Sequence, residues 1–513
     1  MSGGSGECKQ QHKPRNSNSR KIEGVAIIGG GLAGCLLACF LKRRGKYHVE
    51  VFESRPDMRM NLGLAGRSIN LVLTSRGLEA LAHVDLLEDI LKLCVPVHGR
   101  TLHLESGEIA YQAYGPDSTY CNYSISRAEL NVELIKAAVK MGVVFHFEEP
   151  VLTMNLEKGE FITQSRSSTG HPMEKHYAAW HIFGTDGAGS RCRQSLKRTL
   201  GDEVQDEAIP LGASYKELLM PRNPETNQSW FSTTSLHIWP RGSHFLMGLP
   251  NRDGTMTMTL YLPDHSDKPE QPCFSKINTP ETIRAYFKKY YPDAYVALPD
   301  LVEQWHTHPV GFLGTVKCNR WVYEDKLCIL GDAAHAITPF FGQGCNAAFE
   351  SVRLLDKCLS QFSDTKDAFE AFQTLRKPDT DAIAAMAVEN YTEMMSKTSS
   401  PHFLLQKELE VYLAHEYPEA YLSRYALVTH TLVPYSTCVE IGKTQGEILD
   451  ELCPLQMKSL KELNKARAKE LIETKLIPRL KELGIVPKVD FRDVSRELLM
   501  VANSNIQKQK SQL

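Results

Sequence analysis

The chain has 513 residues, with 59 Lys and Arg against 61 Asp and Glu, so its formal net charge is −2. Apolar residues make up 42% and charged residues 23%, which is typical of a globular protein, and the length fits about two to four domains. The near-zero charge argues against a dedicated nucleic-acid-binding protein, which normally carries a basic excess. Thirteen cysteines without a C-x-x-C pair indicate free thiols in a reducing compartment.

The sequence pattern of the first 41 residues indicates neither a targeting segment nor a membrane-spanning segment. Residues 1–20 are polar and lack the apolar core of a signal peptide, so they are expected to form a disordered tail. Residues 24–41 are uncharged and nearly long enough to span a membrane, but three consecutive glycines, Gly29 to Gly31, favour a strand, a turn and a helix. We therefore expect a soluble, intracellular protein, most simply a cytoplasmic one.

A dinucleotide-binding pattern follows the tail. The short apolar run Val25–Ile28 is typical of a buried parallel strand, and Gly29-x-Gly31-x-x-Gly34 comes directly after it. Gly29 allows the tight turn, Gly31 lets the backbone approach a pyrophosphate, and Gly34 lets the helix pack on the sheet. The free N–H groups at the helix start face the phosphates. Glu53, nineteen residues past Gly34, ends the next strand and can accept hydrogen bonds from a ribose.

The glycines alone leave open whether the dinucleotide is FAD or NAD(P), and two later motifs favour FAD. One is Asp186-Gly187 after an apolar strand, and the other is Gly331-Asp332 after the apolar run Leu327–Leu330. A strand-end aspartate such as Asp332 can bind a ribityl hydroxyl. The N–H groups at the next helix start can face the electron-rich edge of a flavin, where a positive dipole end stabilises negative charge.

With these three motifs the chain resembles the single-component, FAD-dependent aromatic hydroxylases and, within them, the kynurenine 3-monooxygenase family. The closer resemblance lies in residues 66–71 (GRSINL), 236–240 (LHIWP), 331–344 and 390–394 (NYTEM), and it extends from about residue 21 to about residue 435. It implies an α/β fold in which a Rossmann-like FAD-binding domain is interleaved with a mainly antiparallel β-sheet substrate domain. A helical C-terminal region follows.

The expected domains are discontinuous in sequence. The alternation of residues 255–260 between Thr and Met or Leu supports a half-buried strand in the substrate sheet. The FAD-binding domain is assigned to 21–120, 140–200 and 310–360, the substrate sheet to 201–309, a helical substrate-site region to 361–435, and an amphipathic helical extension to 436–513.

The resemblance implies a set of FAD contacts along the chain. Arg127 is similar to the family's flavin-proximal arginine, although its position alone would equally fit an exposed residue at a helix start. Cys345 stands where this family commonly has Met, which leaves a backbone contact intact. The complete set is Gly29, Gly31, Ala33, Gly34, Phe52, Glu53, Ser54, Arg55, Val72, Arg127, Val151, Arg191, Asp332, Cys345 and Asn346.

The resemblance also implies a site for L-kynurenine. Arg100 would bind the substrate carboxylate, because a guanidinium offers a planar, bidentate and permanently charged partner. The Tyr114 hydroxyl and Asn390 would lie beside it, with Tyr425 and Glu393 at the same end. Glu393 either orients Tyr425 or meets the α-amine of the substrate. Spacing alone does not select these five residues.

Pro339 and Phe340 are the expected catalytic residues, as walls of the chamber in which the ring is hydroxylated; Phe341 is expected to join them. A core aromatic pair is the alternative interpretation of Phe340 and Phe341. The implied reaction uses NADPH and O2, forms a flavin C4a-hydroperoxide, and gives 3-hydroxykynurenine in tryptophan degradation. The substrate amine activates the ring, so the protein must orient it and exclude water. No motif marks the NADPH site, and no ligand spacing indicates a metal.

Two other functions and one other location stay open. The chain would also fit a related flavin hydroxylase for another aromatic acid, or a flavin-binding scaffold with weak catalysis. The oligomeric state is not readable. Met457–Leu483 has the pattern of an amphipathic helix kinked at Pro478, expected to pack on the protein itself. Peripheral contact with the mitochondrial outer membrane is the alternative, since animal members of the family are anchored there by an apolar C-terminal segment.

Overall fold

The computed structural model of the protein describes residues 20–60, 70–115, 120–166, 170–397, 400–498 and 500. The expected tail up to residue 19 and residues 66–69 of the GRSINL motif lie outside these ranges. The strands in chain order are β1 (Arg20–Ile28), β2 (His48–Phe52), β3 (Asn70–Leu73), β4 (Val95–Val97), β5 (Gly99–His103), β6 (Ile109–Ala113), β7 (Asn122–Ser126), β8 (Val144–His146), β9 (Val151–Asn155), β10 (Glu160–Arg166), β11 (Pro172–Gly184), β12 (Asp206–Met220), β13 (Ser235–Pro240), β14 (Phe245–Pro250), β15 (Met256–Pro263), β16 (Val310–Cys318), β17 (Val322–Tyr323) and β18 (Leu327–Ile329).

Helices fill the connections and most of the chain after residue 340. A 3-10 turn, Pro339–Phe341, and two π-helical turns, Glu393–Lys397 and Ile472–Leu476, interrupt them. The α-helices are α1 (Leu32–Arg43), α2 (Ser75–Ala82), α3 (Leu87–Leu91), α4 (Arg127–Lys140), α5 (Arg191–Leu200), α6 (Pro280–Tyr290), α7 (Pro292–Val296), α8 (Leu301–Thr307), α9 (Asp332–His335), α10 (Gly344–Gln361), α11 (Thr365–Thr392), α12 (Pro401–Glu416), α13 (Arg424–His430), α14 (Tyr435–Leu452), α15 (Lys465–Leu471), α16 (Ile477–Glu482) and α17 (Pro487–Asp490).

The first sheet is the dinucleotide-binding half of the molecule. Its order is β17-β18-β11-β1-β2-β8, with β10 and β9 attached beside β11. β1 pairs in parallel with both β2 and β11, and β18 pairs in parallel with β11. Residues 25–28 are fully buried, as expected for a strand covered on both faces, and α1, which follows them, contacts α4 and α10. The strand, turn and helix predicted from the glycine pattern are confirmed.

The second sheet is mainly antiparallel, as the predicted fold class requires. Its order is β16-β12-β15-β14-β13-β5-β6, and β13 and β5 are its parallel pair. Residues 99–113 and 310–318, expected in the FAD-binding part, belong to this sheet as β5, β6 and β16. β7 pairs instead with β3 and β4 in a small third sheet. The chain therefore crosses between the two halves more often than the sequence pattern predicted.

The helices after residue 364 pack together and against α10. A buried cluster joins apolar residues of α11 to α16, and within the expected amphipathic segment Leu471, Leu476 and Leu480 are buried in it. The α-helix of this segment begins at Lys465 rather than Met457, and Pro478 lies in the first turn of α16, directly after the π-helical turn Ile472–Leu476 that joins α15 to α16. None of the helices in the described ranges is long and apolar enough to cross a membrane.

A buried ion network fastens α10 to this helical region. The Glu350 carboxylate lies 2.5 Å from Arg76 on α2 and 2.7 Å from Arg376 on α11. Arg76 also stacks on the Tyr435 ring at 3.8 Å, and the Tyr435 hydroxyl donates a 2.7 Å hydrogen bond to Gln343. Burial opposes the Glu350 charge, but the two arginines outweigh it and lower its pKa. The start of α10 is thereby held from both sides.

Candidate active site

The turn between β1 and α1 leaves room for a ligand at one glycine and none at the other two. Gly29 has a φ of +104°, and its N–H donates to the Phe52 carbonyl at 2.8 Å. A Cβ at Gly34 would lie 2.0 Å from the Gly29 carbonyl oxygen, whereas a Cβ at Gly31 would meet no atom within 4 Å. Gly31 precedes the first N–H groups of α1, which no side chain caps. This geometry fits a pyrophosphate at the helix start.

Glu53 closes the same turn at the end of β2. Its Oε2 accepts a 2.8 Å hydrogen bond from the Gly30 N–H, and its Oε1 accepts from the backbone and side chain of Arg55. Burial opposes its charge, but Arg55 outweighs that effect, so the pKa of Glu53 is lowered. The Ser54 hydroxyl lies 3.3 Å from Oε1. Glu53 is therefore an ionised acceptor beside the glycine turn, as ribose binding requires.

Phe52 and Val151, both expected at the cofactor, are buried in the core of the first sheet. The Phe52 ring stacks on His146 at 4.5 Å and packs edge-on against Phe161 and Tyr177. Val151 begins β9 and is 7% exposed. Their side chains act as packing groups, and what they can offer a cofactor is backbone.

A second group of expected contacts surrounds the Gly331-Asp332 turn. Gly331 has a φ of +62°, and a Cβ there would lie 3.2 Å from the Cβ of Ala33, so this turn packs against the start of α1. Asp332 is accessible to solvent, yet desolvation raises its pKa against the influence of Arg127. The thiol pKa of Cys345 is raised to about 12 by burial, again opposed by Arg127. Arg127 therefore lies near both Asp332 and Cys345, and the region from this group to Arg100 is called the recess below.

The side-chain oxygen and nitrogen of Asn346 both hydrogen-bond within the protein. Its Oδ1 accepts from the Thr74 N–H at 2.9 Å, and its Nδ2 donates to the carbonyls of Val72 and Gly342 at 2.7 and 2.9 Å. The residue ties β3 to the turn before α10. Asn346 can therefore meet a cofactor through its backbone, while its side chain fixes the position of Val72.

The Asp186-Gly187 motif caps a helix. The Asp186 carboxylate accepts hydrogen bonds from the Ser190 hydroxyl and from the N–H groups of Arg191 and Cys192. Arg191 is exposed at the start of α5, where its side chain contacts Gln194 at 3.1 Å. In this geometry the motif caps the start of α5, and Arg191 lies at the protein surface.

The expected carboxylate-binding residues come together at the other end of the recess. Arg100 on β5 is 8% exposed, and its guanidinium carbon lies 4.6 Å from the Tyr425 ring centre and 5.9 Å from that of Tyr114. The two tyrosine rings stack at 5.2 Å. The Arg100 Nε is buried and meets no hydrogen-bond partner. Burial opposes the charge of Arg100, but Tyr425, Tyr114 and Glu393 outweigh it and raise its pKa.

Asn390 forms a hydrogen bond with the segment that contains Phe340. It is buried near the end of α11, and its Nδ2 donates a 2.6 Å hydrogen bond to the Phe340 carbonyl. Glu393, three residues after Asn390, begins the π-helical turn and is partly buried. Sequence spacing could not bring β5, α11 and α13 together. In the structure Arg100 meets Tyr425, and Asn390 holds Phe340, whose neighbour Phe341 stacks on Tyr425.

Phe340 and Phe341 point in opposite directions. Phe340 packs on Tyr391 at 4.5 Å and on Tyr261 at 5.0 Å, inside an apolar cluster shared with the second sheet. Phe341 belongs to the cluster of C-terminal helices and stacks on Tyr425 at 5.5 Å. Phe340 therefore belongs to the apolar cluster of the second sheet, with Pro339 half-buried beside it, while Phe341 packs on Tyr425.

Several residues of the recess were not predicted. Phe245 and Tyr261 pack in the apolar cluster around Phe340. Glu217 on β12 has its pKa raised to about 7 by burial, opposed by Arg127. Strand alternation could have placed these side chains on one face of the sheet but not at this site. In the described ranges no group of His, Cys, Asp and Glu is arranged to hold a metal ion.

Comparisons with known proteins agree with this geometry. A family model described as an FAD binding domain matches residues 23–378. A kynurenine 3-monooxygenase of Myxococcus xanthus is 39% identical over 467 residues, covering 91% of this chain and 98% of the relative. One of Christiangramia forsetii is 37% identical over 434 residues, covering 84% and 94%.

Solved structures share the fold at lower identity. The tetrameric form of 2-methyl-3-hydroxypyridine-5-carboxylic acid oxygenase has a TM-score of 0.57 at 20% identity, covering 76% of this chain and 96% of that one. The p-nitrophenol 4-monooxygenase PnpA of Pseudomonas putida has a TM-score of 0.58 at 18% identity, covering 77% and 94%. From the relatives and the matched domain, the chain belongs to the kynurenine 3-monooxygenase family of FAD-dependent monooxygenases.

Proposed function

We propose that this protein hydroxylates L-kynurenine to 3-hydroxykynurenine with FAD, NADPH and O2. The observation that carries the proposal is the environment of Arg100, a buried, charged guanidinium with an unpartnered Nε beside an apolar recess. Such a group needs an anion, and the relatives at 37–39% identity over most of the chain are named kynurenine 3-monooxygenases.

The carboxylate end of the substrate is bound by Arg100. A planar carboxylate can accept two parallel hydrogen bonds from the guanidinium, and the Tyr114 hydroxyl can supply another. The rings of Tyr114 and Tyr425 stack on each other, and the guanidinium lies beside this pair, 5.9 and 4.6 Å from the two ring centres. The Asn122 amide donates to the Tyr425 hydroxyl at 3.0 Å and fixes that ring in turn. The anchor is thus rigid before substrate binds.

The aromatic end lies against Phe340 and Pro339. When bound, FAD supplies the redox chemistry by accepting hydride from NADPH and activating O2 for transfer of one oxygen atom. The protein sets the distance between ring and cofactor, because Asn390 holds the Phe340 carbonyl at 2.6 Å while the substrate carboxylate is held by Arg100. The aromatic walls exclude water, which would otherwise divert oxygen into H2O2.

A strong protein base is not required for this substrate. The aniline nitrogen of kynurenine donates electron density to the neighbouring ring carbon and so activates it. His335, next to the cofactor turn, is buried, and burial lowers its pKa to about 3, so it is neutral at physiological pH. It contacts the Ser351 hydroxyl at 3.1 Å and acts as a structural residue.

The test is NADPH oxidation by the FAD-loaded protein with and without L-kynurenine, with 3-hydroxykynurenine and H2O2 both quantified. The expected result is strong stimulation by kynurenine and one product molecule per NADPH. Stimulation that gives only H2O2 would make kynurenine an effector and would contradict the proposal. Absence of stimulation would point to another aromatic acid or to a flavin-binding scaffold.

We also propose a soluble, cytoplasmic protein. The support is chemical: the cysteines in the described ranges are all free, which suits a reducing compartment. Fractionation of cells that produce the protein tests this. Recovery in the membrane pellet after a high-salt wash would contradict it.

A further inference from the structure

Four charged residues form a cluster at the Arg100 end of the recess, and only two of them were expected there. Lys407, on α12, lies with its Nζ 2.9 Å from the Glu410 Oε2 and 4.0 Å from the Glu393 Oε1. All three side chains are largely covered, with exposed fractions of 31%, 15% and 19% for Lys407, Glu410 and Glu393. Arg100 and Lys407 are positive and the two glutamates are negative.

The direction of α12 explains why Lys407 reaches this place. Leu404, one helical turn earlier, packs against the apolar cluster that contains Tyr114, Phe340 and Met394. Residues three apart lie on the same helix face, so Lys407 projects toward the same recess. Electrostatics agrees with this geometry: burial and Arg100 oppose the Lys407 charge, but Glu410 and Glu393 outweigh them and raise its pKa.

We propose that Lys407 is a positioning residue, which holds the Glu393 carboxylate ready for the α-ammonium group of the substrate and so makes the enzyme selective for α-amino acids. This inference rests on the proposed function. Glu410 anchors Lys407 through a direct hydrogen bond. The 4.0 Å separation from Glu393 is longer than a hydrogen bond, so Lys407 acts on Glu393 by charge and does not occupy the acceptor.

The Glu393 carboxylate explains the selectivity. An α-amino acid places its ammonium on Glu393 while its carboxylate lies on Arg100. A carboxylate without the amine makes no use of Glu393 and leaves that buried charge without the ammonium partner. Without Lys407, the carboxylates of Glu393 and Glu410 would repel each other. Glu393 would then lose both its fixed position and the positive charge that keeps it ionised.

The test compares L-kynurenine with its des-amino analogue, 4-(2-aminophenyl)-4-oxobutanoate, measured as a competitive inhibitor. The variants are K407M, K407Q and K407R, with K443M as control, since Lys443 makes a comparable ion pair with Glu440 on the exposed face of α14. FAD content and thermal stability are measured for each variant. We expect K407M and K407Q to raise KM for kynurenine on the order of tenfold with kcat nearly unchanged.

The inhibition constant of the analogue should change less than about twofold in K407M, K407R should restore KM, and K443M should behave as wild type. Equal weakening of kynurenine and analogue would overturn the inference, because Lys407 would then bind the carboxylate or support the fold. An unchanged KM in both K407M and K407Q would overturn it as well. If the wild-type protein itself fails to hydroxylate kynurenine, the proposed function fails first, and the inference falls with it.

Discussion

Replacing Arg100 by Met is the most direct perturbation of the proposed substrate site. Arg100 is 8% exposed and lies beside the stacked rings of Tyr425 and Tyr114, so a bound carboxylate would be desolvated there. Truncating one partner of a buried, hydrogen-bonded charge pair costs about 2–5 kcal/mol. That corresponds to roughly 30-fold to several-thousand-fold weaker kynurenine binding. FAD should stay bound, because Arg100 makes no contact with the glycine turn or the Gly331-Asp332 turn.

The assay is KM for kynurenine from NADPH oxidation, together with flavin absorbance of the purified variant. Arg100→Lys is the matched control: it keeps the charge but loses the planar fork, so KM should fall between wild type and R100M. A KM within about fivefold of wild type in R100M, with FAD bound, would refute the assignment of Arg100.

The same variant makes a prediction about stability. Arg100 has a buried Nε without a partner, and an unsatisfied buried donor is a cost to the folded state. R100M should therefore unfold at the same temperature as the wild type or higher in the absence of substrate. A lower unfolding temperature would mean that the stacking of Arg100 on the tyrosines stabilises the fold more than its desolvation costs.

Other substitutions probe the cofactor turn, the chamber wall and the buried ion network. Gly34→Ala should prevent stable folding, because its Cβ would lie 2.0 Å from a carbonyl oxygen. Gly31→Ala should fold but lose FAD affinity, because the new Cβ would meet no protein atom within 4 Å. Unfolding temperature and FAD content distinguish the two variants. Asn390→Ala removes the 2.6 Å hydrogen bond to the Phe340 carbonyl and should raise the share of NADPH oxidation that ends as H2O2, measured against product. Glu350→Gln leaves the buried Arg76 without its counter-ion and Arg376 with only Asp379 at 3.8 Å, and it should cost about 3–5 kcal/mol in urea unfolding. Because the pKa of Glu350 is lowered, its stabilisation is present above the ordinary carboxylate pKa and is lost as pH falls through the lowered value, so stability of the Gln variant should depend less on acid pH.

The cofactor half of the site could be predicted because its signals are local. A buried strand, a glycine turn and a helix follow one another within twenty residues, and each glycine has a separate steric reason. The turn requires a positive φ at Gly29, and the close packing of α1 excludes a Cβ at Gly34. Glu53 follows at the end of the neighbouring parallel strand, which the βαβ connection fixes.

The substrate half could not be predicted from spacing, because long-range sheet pairing assembles it. Arg100 reaches the site only because β5 pairs in parallel with β13, more than a hundred residues later, and no local pattern encodes that register. This pairing also moves residues 99–113 out of the expected FAD-binding part. Only the resemblance to a known family selected Arg100, Asn390 and Tyr425. Lys407 had neither a local motif nor a family motif to indicate it.

The segment between Asp332 and Asn346 explains how the two halves act together. Asp332 stands at its start, Phe340 packs in the apolar cluster of the second sheet, and Asn346 donates to the Val72 carbonyl of β3. Asn390 holds it from α11 through the Phe340 carbonyl. In the proposed reaction this segment, fixed from both sides, would set the distance between the substrate ring and the cofactor. A reaction that depends on placing one ring carbon correctly, without a protein acid or base, needs that rigidity.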